Sequence, residues 1–160
     1  MNGRQVLRSL IPFVVVVLVS GCSRTSAPVS TVLDLAGGAP PPPPIDWELA
    51  AAGESLYLQQ CAACHGADLR GAPDWKTPND DGSYPPPPHD SSGHSWHHSD
   101  ATLTDLILNG SGFEQSRMPE FAGRLSGDDV RAILQYLKSE WGEQERTFQW
   151  QITWQETPRG

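Results

Sequence analysis

Positive charge is scarce in this chain: 11 Lys and Arg residues stand against 19 Asp and Glu residues, and the formal net charge is −8. This excludes a nucleic acid as partner, because phosphate binding depends on an excess of Lys and Arg. The acidic balance is compatible with electrostatic steering to a basic protein surface, and equally with a simple need for solubility.

Long hydrophobic runs are also missing, apart from residues 10–19. That run is shorter than the roughly 20 residues that cross a bilayer. Arg4 and Arg8 precede it and Ser20-Gly21-Cys22 follows it, an order that predicts a signal peptide over residues 1–21. The small residues before Cys22 resemble a bacterial lipobox, in which the cysteine is lipidated. An ordinary signal with a stray cysteine is the alternative, and both predict export. Ser23 does not look like an inner-membrane retention signal, which favours the outer membrane slightly.

Cysteines number only three, and two of them lie in the run Cys61-Ala62-Ala63-Cys64-His65. A Cys-x-x-Cys-His run is the attachment motif of a c-type haem. The two thiols can each add to a haem vinyl group, and His65 can offer an axial nitrogen to the iron. A zinc site would need a second pair of ligands, and a thioredoxin-like pair would need a βαβ pattern; neither is found. With Cys22 lipidated, no cysteine is left for a disulfide.

Composition divides the chain into four segments: the signal peptide 1–21, a tether 22–46, a folded domain 47–141 and an extension 142–160. The tether contains five consecutive prolines, 40–44, which favour an extended polyproline helix rising about 3.1 Å per residue. In the extension, aromatic and polar residues alternate after an initially helical pattern. We therefore expect a short helix there that frays into an extended tail.

Helical signals dominate the folded domain. Apolar spacing predicts an amphipathic helix over 47–60. Ser99 or Asp100 should cap a second helix that ends at Asn109-Gly110. Ser126 should cap a third, with apolar residues from Val130 to Trp141 at helical spacing. Glycine and proline are frequent over residues 66–92, which predicts a loop.

Together these features resemble the class I family of c-type cytochromes, in its bacterial lipoprotein form. Gly53 and Tyr57 precede the haem motif at the family's positions, and residues 133–138 (Ile-Leu-Gln-Tyr-Leu-Lys) resemble its C-terminal helix. The resemblance implies an all-α bundle wrapped around one covalent haem c, with the first and last helices crossing at the glycine. It also implies a proline near the proximal histidine, which could be Pro73, Pro78 or one of the prolines 85–88.

The family usually places a methionine on the other side of the iron, often followed by proline, and Met118-Pro119 matches that pattern. Met1 leaves with the signal peptide, so Met118 is the only thioether of the mature chain. His65 and Met118 would close both axial positions, which suits electron transfer and disfavours catalysis at the iron. The alternative is that Met118 is an ordinary core residue.

The segment 84–98 holds every histidine except His65: His89, His94, His97 and His98. We expect a loop that covers a haem edge, with Trp96 packed on the haem ring. These histidines could also contact a haem propionate or a partner, replace Met118 on the iron, or bind a second metal such as copper.

The sequence thus predicts a monomeric, membrane-tethered electron carrier rather than an enzyme. It would be anchored through Cys22, face the periplasm and pass single electrons to a respiratory oxidase or a periplasmic oxidoreductase. The alternatives are a haem sensor or enzyme with a displaceable Met118, and a carrier with an added copper site.

Overall fold

The computed structural model describes residues 38–158, so the predicted signal peptide and Cys22 lie outside the described residues. The described part contains five α-helices and one 3₁₀ turn, and it has no β-strand, which confirms the all-α class. The elements are α1 (Trp47–Gln60), α2 (Ala62–His65), the 3₁₀ turn η1 (Ser95–His97), α3 (Asp100–Asn109), α4 (Gly127–Ser139) and α5 (Glu143–Glu156).

Local capping explains where the main helices begin. Asp46 accepts a hydrogen bond from the Leu49 amide at the start of α1, and Ser99 caps α3. Ser126 and Asp129 form a reciprocal capping box on α4. Such side chains satisfy amides that lack a partner in the first turn of a helix. The three predicted helices are therefore confirmed, although α4 ends before Trp141, which is buried beyond it.

The helices α1 and α4 cross in close contact at Gly53. A Cβ atom placed on Gly53 would lie 1.9 Å from the carbonyl oxygen of Ala132, so only glycine allows this approach. Beside the crossing, the rings of Tyr57 and Tyr136 pack with their centroids 5.4 Å apart. The Tyr57 hydroxyl also donates to the Gly66 carbonyl. The crossing therefore fixes the end of α1, and with it the Cys-x-x-Cys-His turn, against α4.

One hydrophobic cluster fills the space between α1, α3, α4 and the loops. Its most completely buried side chains include Tyr57, Val130 and Ile133. Leu69, Phe121 and Leu125 join it from the loops, and Trp141 from the α4–α5 connection. Cys61, Trp96 and Met118 pack against this cluster while remaining partly buried. Three residues singled out by the sequence thus adjoin one core.

The C-terminal extension is a regular 14-residue helix, so the predicted extended tail is wrong. Gln149 is 1% exposed, and its amide nitrogen donates to Asp100 Oδ1 at 2.7 Å. One turn later, the Thr153 hydroxyl accepts from the Asp100 amide. Gln149 and Thr153 are four residues apart and therefore lie on one face of α5. Tertiary contacts of α5 with the start of α3 thus override the alternating aromatic pattern.

The described part of the predicted tether, residues 38–46, forms no helix or strand. The Pro40 carbonyl accepts a hydrogen bond of 2.7 Å from the indole nitrogen of Trp150 on α5, a contact that the sequence did not predict. Over residues 38–158, no helix is long and apolar enough to cross a membrane.

Candidate haem site

The run from Cys61 to His65 is a single helical turn. Cys61 ends α1, and its carbonyl accepts from the His65 amide at 3.0 Å. Residues three and four positions apart lie on one helix face, so Cys61, Cys64 and His65 are neighbours. Neither cysteine forms a disulfide; Cys61 is half-buried and Cys64 is exposed. Burial, with a smaller contribution from Cys64, raises the pKa of the Cys61 thiol to about 11.

His65 is buried, and its ring has a defined hydrogen bond. Nδ1 lies 2.9 Å from the carbonyl oxygen of Pro87. A carbonyl can only accept, so Nδ1 carries the proton, and Nε2 is left as the nitrogen that can bind a metal. Burial lowers the pKa of His65, and the bond to Pro87 opposes this only in part. Burial therefore favours the neutral ring, which is the form that ligates iron.

Pro87 reaches His65 because, within the loop 66–92, the backbone of Pro86 and Pro87 passes close to Gly71. Gly71 has φ +59°, and a Cβ there would lie 2.5 Å from the Pro87 carbonyl carbon and 2.6 Å from the Pro86 oxygen. The Ala72 amide donates to that Pro86 oxygen. Among the prolines that the sequence left open, the structure selects Pro87 as the hydrogen-bond partner of His65.

Met118 lies half-buried against the core, between α3 and α4. Its amide donates to the Ser116 hydroxyl. Two contacts tie the preceding residues to the loop 66–92: the Tyr84 amide donates to the Gln115 carbonyl, and Arg117 pairs with Asp81 at 2.8 Å. The role of Met118 as an iron ligand stays a prediction.

The four histidines of the predicted loop are placed differently. His89 stacks on His65, with ring centroids 3.9 Å apart. His94 stacks on Trp75 at 5.2 Å and meets His98 edge to face at 5.6 Å. His97 is exposed beside Trp96 and Phe148. Within residues 38–158, no three His, Cys, Asp or Glu side chains are grouped so that they could share a metal ion.

Several buried polar atoms of this loop are suited to hydrogen bonding with a polar group of a bound haem. Trp96 Nε1 and the Nδ1 atoms of His89 and His94 are buried, and no hydrogen-bond partner for them is found among the described residues. Buried N–H groups are normally paired, because an unpaired one costs about 1–3 kcal/mol. A bound haem would supply two carboxylates, which can pair with such groups, and a large apolar ring. The observed side chains are therefore chemically suited to a bound haem.

Sequence reasoning missed the residues that hold the histidines in place. The stack of His89 on His65 and the bond from Trp141 Nε1 to the His89 carbonyl join residues 24 and 52 positions apart. A proline run directly before a histidine carries no signal for such contacts. The packing of η1 on α5 was missed for the same reason.

A helical bundle with a buried histidine at the end of a Cys-x-x-Cys-His turn defines the protein as a class I c-type cytochrome. Residues 48–137 match the family model described as cytochrome c oxidase, cbb3-type, subunit III, and the chain belongs to this family. It accordingly binds one covalent haem c and takes part in electron transfer.

A curated relative is the cbb3-type cytochrome c oxidase subunit FixP of Bradyrhizobium sp. (strain ORS 278). It is 30% identical over 92 residues, which are 56% of this chain and 27% of the relative. The chain thus spans about a quarter of the length of the relative it matches. No solved structure matches the chain.

Proposed function

We propose that this protein is a monomeric, membrane-tethered carrier of single electrons, with the haem attached through Cys61 and Cys64 and ligated by His65 and Met118. The observation that carries the proposal is the hydrogen bond from His65 Nδ1 to Pro87. It fixes the tautomer and the direction of a neutral imidazole on the same turn as two free thiols. Covalent haem attachment requires the two free thiols, and axial ligation requires a neutral imidazole beside them.

When bound, the haem supplies an iron that accepts one electron from a donor protein and returns it to an acceptor. The residues of this chain set the conditions for that exchange. His65 is held by Pro87 so that little rearrangement accompanies the change of charge. Met118, as a thioether ligand, favours the reduced iron and raises its potential relative to a second histidine. Burial against the apolar core excludes water from the site.

The proposed electron acceptor is a respiratory oxidase, with a periplasmic oxidoreductase as the alternative. The printed name of the relative, an oxidase subunit, supports the first. The net charge of −8 supports a partner with a basic docking surface. We place the protein on the periplasmic face of a membrane, through a lipid on Cys22 and with the outer membrane slightly favoured, on the basis of the signal-like residues 1–21.

The copper alternative has no supporting geometry, since no three potential ligands converge within the described residues. Iron and copper analysis of the purified protein tests this point, and one iron without copper is expected. The sensor alternative needs a Met118 that small ligands displace. The carbon monoxide experiment described next therefore tests both the sensor and the carrier.

We expect wild-type protein to be low-spin and to bind carbon monoxide slowly, because Met118 occupies the second axial position. Met118→Ala should open that position, give a high-spin spectrum and bind carbon monoxide rapidly. Met118→His is the matched variant that should stay low-spin but have a lower reduction potential. Rapid binding of carbon monoxide by the wild type would contradict the carrier and favour the sensor.

The lipid anchor has a separate test. Cys22→Ala should move the protein from the membrane fraction to the soluble fraction, since one residue carries the proposed lipid. Ser26→Ala, in the same segment, should leave fractionation unchanged. Membrane association of the Cys22→Ala variant equal to that of the wild type would disprove lipidation at this residue without affecting the haem assignment.

A further inference from the structure

His89 makes the closest ring contact with the proximal histidine. The centroids of the His65 and His89 rings lie 3.9 Å apart, and the ring planes differ by 20°. His89 Nδ1 is buried and has no hydrogen-bond partner among the described residues. Packing against His65 and Tyr57 therefore helps to place the ring, and Nδ1 adds no hydrogen bond.

The backbone of His89 is held on both sides. Its amide donates to the Leu69 carbonyl at 2.7 Å, and its carbonyl accepts from Trp141 Nε1 at 2.7 Å. Trp141 is buried in the core beyond α4. Because its backbone is fixed in this way, the His89 ring has little freedom to move with the His65 ring. It can therefore restrict the motion of the His65 ring.

The segment 87–89 thus constrains one imidazole twice. Pro87 binds the edge of the His65 ring at Nδ1, while His89 covers one of its faces. The Cβ–Cγ torsion of histidine is broad and has no sharp minima. A single hydrogen bond leaves the ring some freedom to tilt, and a flat group packed on its face removes that freedom.

We propose that His89 is a positioning residue that fixes the plane of the His65 imidazole at the iron. This inference depends on the proposed function, because it requires His65 to be an axial ligand. The ring plane determines how the ligand's π orbitals overlap with those of the iron, and residues that orient a ligand tune the metal's potential. His89 would therefore help to set the potential and the magnetic axes of the haem without touching the iron.

The stacked geometry argues against His89 as the sixth ligand in place of Met118. The lone pair of an imidazole nitrogen lies in the ring plane. The two rings meet face to face with their centroids 3.9 Å apart, so His89 presents a ring face to His65 and no haem plane fits between the two rings. A ligand on the opposite side must come from another part of the chain.

The test compares His89→Leu with His89→Phe in the haem-loaded protein. Leucine keeps an apolar group but no flat face, whereas phenylalanine keeps the face. His97→Leu is the control, because His97 is exposed and contacts Trp96 and Phe148 rather than His65. The readouts are the order and spread of the paramagnetically shifted haem methyl resonances in the ferric state, together with the reduction potential.

We expect His89→Leu to change the methyl pattern and the potential, while His89→Phe and His97→Leu stay close to the wild type. A His89→Leu protein with the wild-type pattern and potential would overturn the inference. Should His89→Leu fail to retain haem, Trp141→Phe removes the bond to the His89 carbonyl and should shift the same signals less. Wild-type signals in Trp141→Phe would then overturn it.

These results distinguish this inference from the proposed function. A wild-type spectrum without histidine ligation would overturn the assignment of His65, and this inference with it. Normal His/Met signals in the wild type that do not respond to the His89 variants would overturn the positioning role alone.

Discussion

Gly53 lies at the crossing of α1 and α4, where a single hydrogen atom takes the place of a side chain. The carbonyl of Ala132 lies where a Cβ would be, so the distance between α1 and α4 depends on this residue. The crossing also carries Tyr57, whose hydroxyl binds the backbone directly after His65. A change at Gly53 should therefore affect both stability and the haem turn.

We expect Gly53→Ala to destabilise the protein by about 1–3 kcal/mol, because the added methyl forces the two helices apart. The gain in helix propensity, about 1 kcal/mol, is included in this range and does not offset the clash. Urea unfolding followed by helical circular dichroism measures the change.

The control for that experiment is Gly127→Ala. Gly127 is the first residue of α4, and a Cβ there meets nothing within 4 Å. This variant should be neutral or up to about 1 kcal/mol more stable. Equal stability of the two variants would show that the crossing can relax.

At the level of elements, the loop 66–92 braces the segment that carries Met118. Arg117, next to Met118, pairs with Asp81, and the Gln115 carbonyl is bound by the Tyr84 amide. Hydrogen bonds from the Ser83 hydroxyl and amide, and then from Arg117, lower the pKa of Asp81 to about 2. The long proline-rich loop thus contacts both proposed axial ligand regions, through Pro87 on one side and Asp81 on the other.

We expect Arg117→Gln to increase the rate of cyanide binding to the ferric protein, because Met118, as the proposed axial ligand, would have to leave the iron first. The pair is exposed, so the increase should not exceed about five-fold. Arg131→Gln breaks a comparable exposed pair on α4, with Asp128, and should have no effect. Identical rates for all three proteins would show that the pair does not restrain Met118.

The pair of Arg117 and Asp81 also predicts how the cyanide-binding rate depends on pH. Since the pKa of Asp81 is lower in the folded protein than its ordinary value of 3.8, its contribution to stability is complete above that value. It is lost as the pH falls towards 2. The difference in cyanide-binding rate between wild type and Arg117→Gln should therefore shrink over this range.

At the scale of the whole molecule, α5 joins the two ends of the described chain. The helix lies beyond the family-matched residues 48–137. Gln149 anchors it to α3, and Trp150 binds the Pro40 carbonyl. The proline run therefore begins on the surface of the protein, and the proposed tether is shorter than its sequence suggests.

We expect deletion of residues 38–44 to speed solvent exchange of the Trp150 indole N–H by about two- to tenfold, the effect of losing one hydrogen bond. Proton–nitrogen NMR of the indole groups measures this, with Trp150→Phe to assign the signal. Trp47 is the internal control, since it is 70% exposed on α1. Unchanged exchange at Trp150 would show that the proline run is not bound there.

Much of the fold was predictable because its signals are local. Caps at Ser99 and Ser126, the terminating Gly110 and apolar spacing in α4 each act within a few residues. The extent of α5 was not predictable, because its helical state depends on contacts of Gln149 and Thr153 with Asp100, about 50 residues away. Local patterns in that segment favour helix and strand almost equally.

The sequence by itself determined the cofactor, the helical class and the Cys-x-x-Cys-His turn, and it predicted Met118 as the second axial ligand. Covalent attachment and capping depend on residue type at short spacing, which a sequence states directly. Only the tertiary structure decided which of six prolines binds His65, and that His89 packs on its face. Those contacts depend on how a long loop returns across the core, because hydrogen bonds and ring packing require positions accurate to a fraction of an ångström.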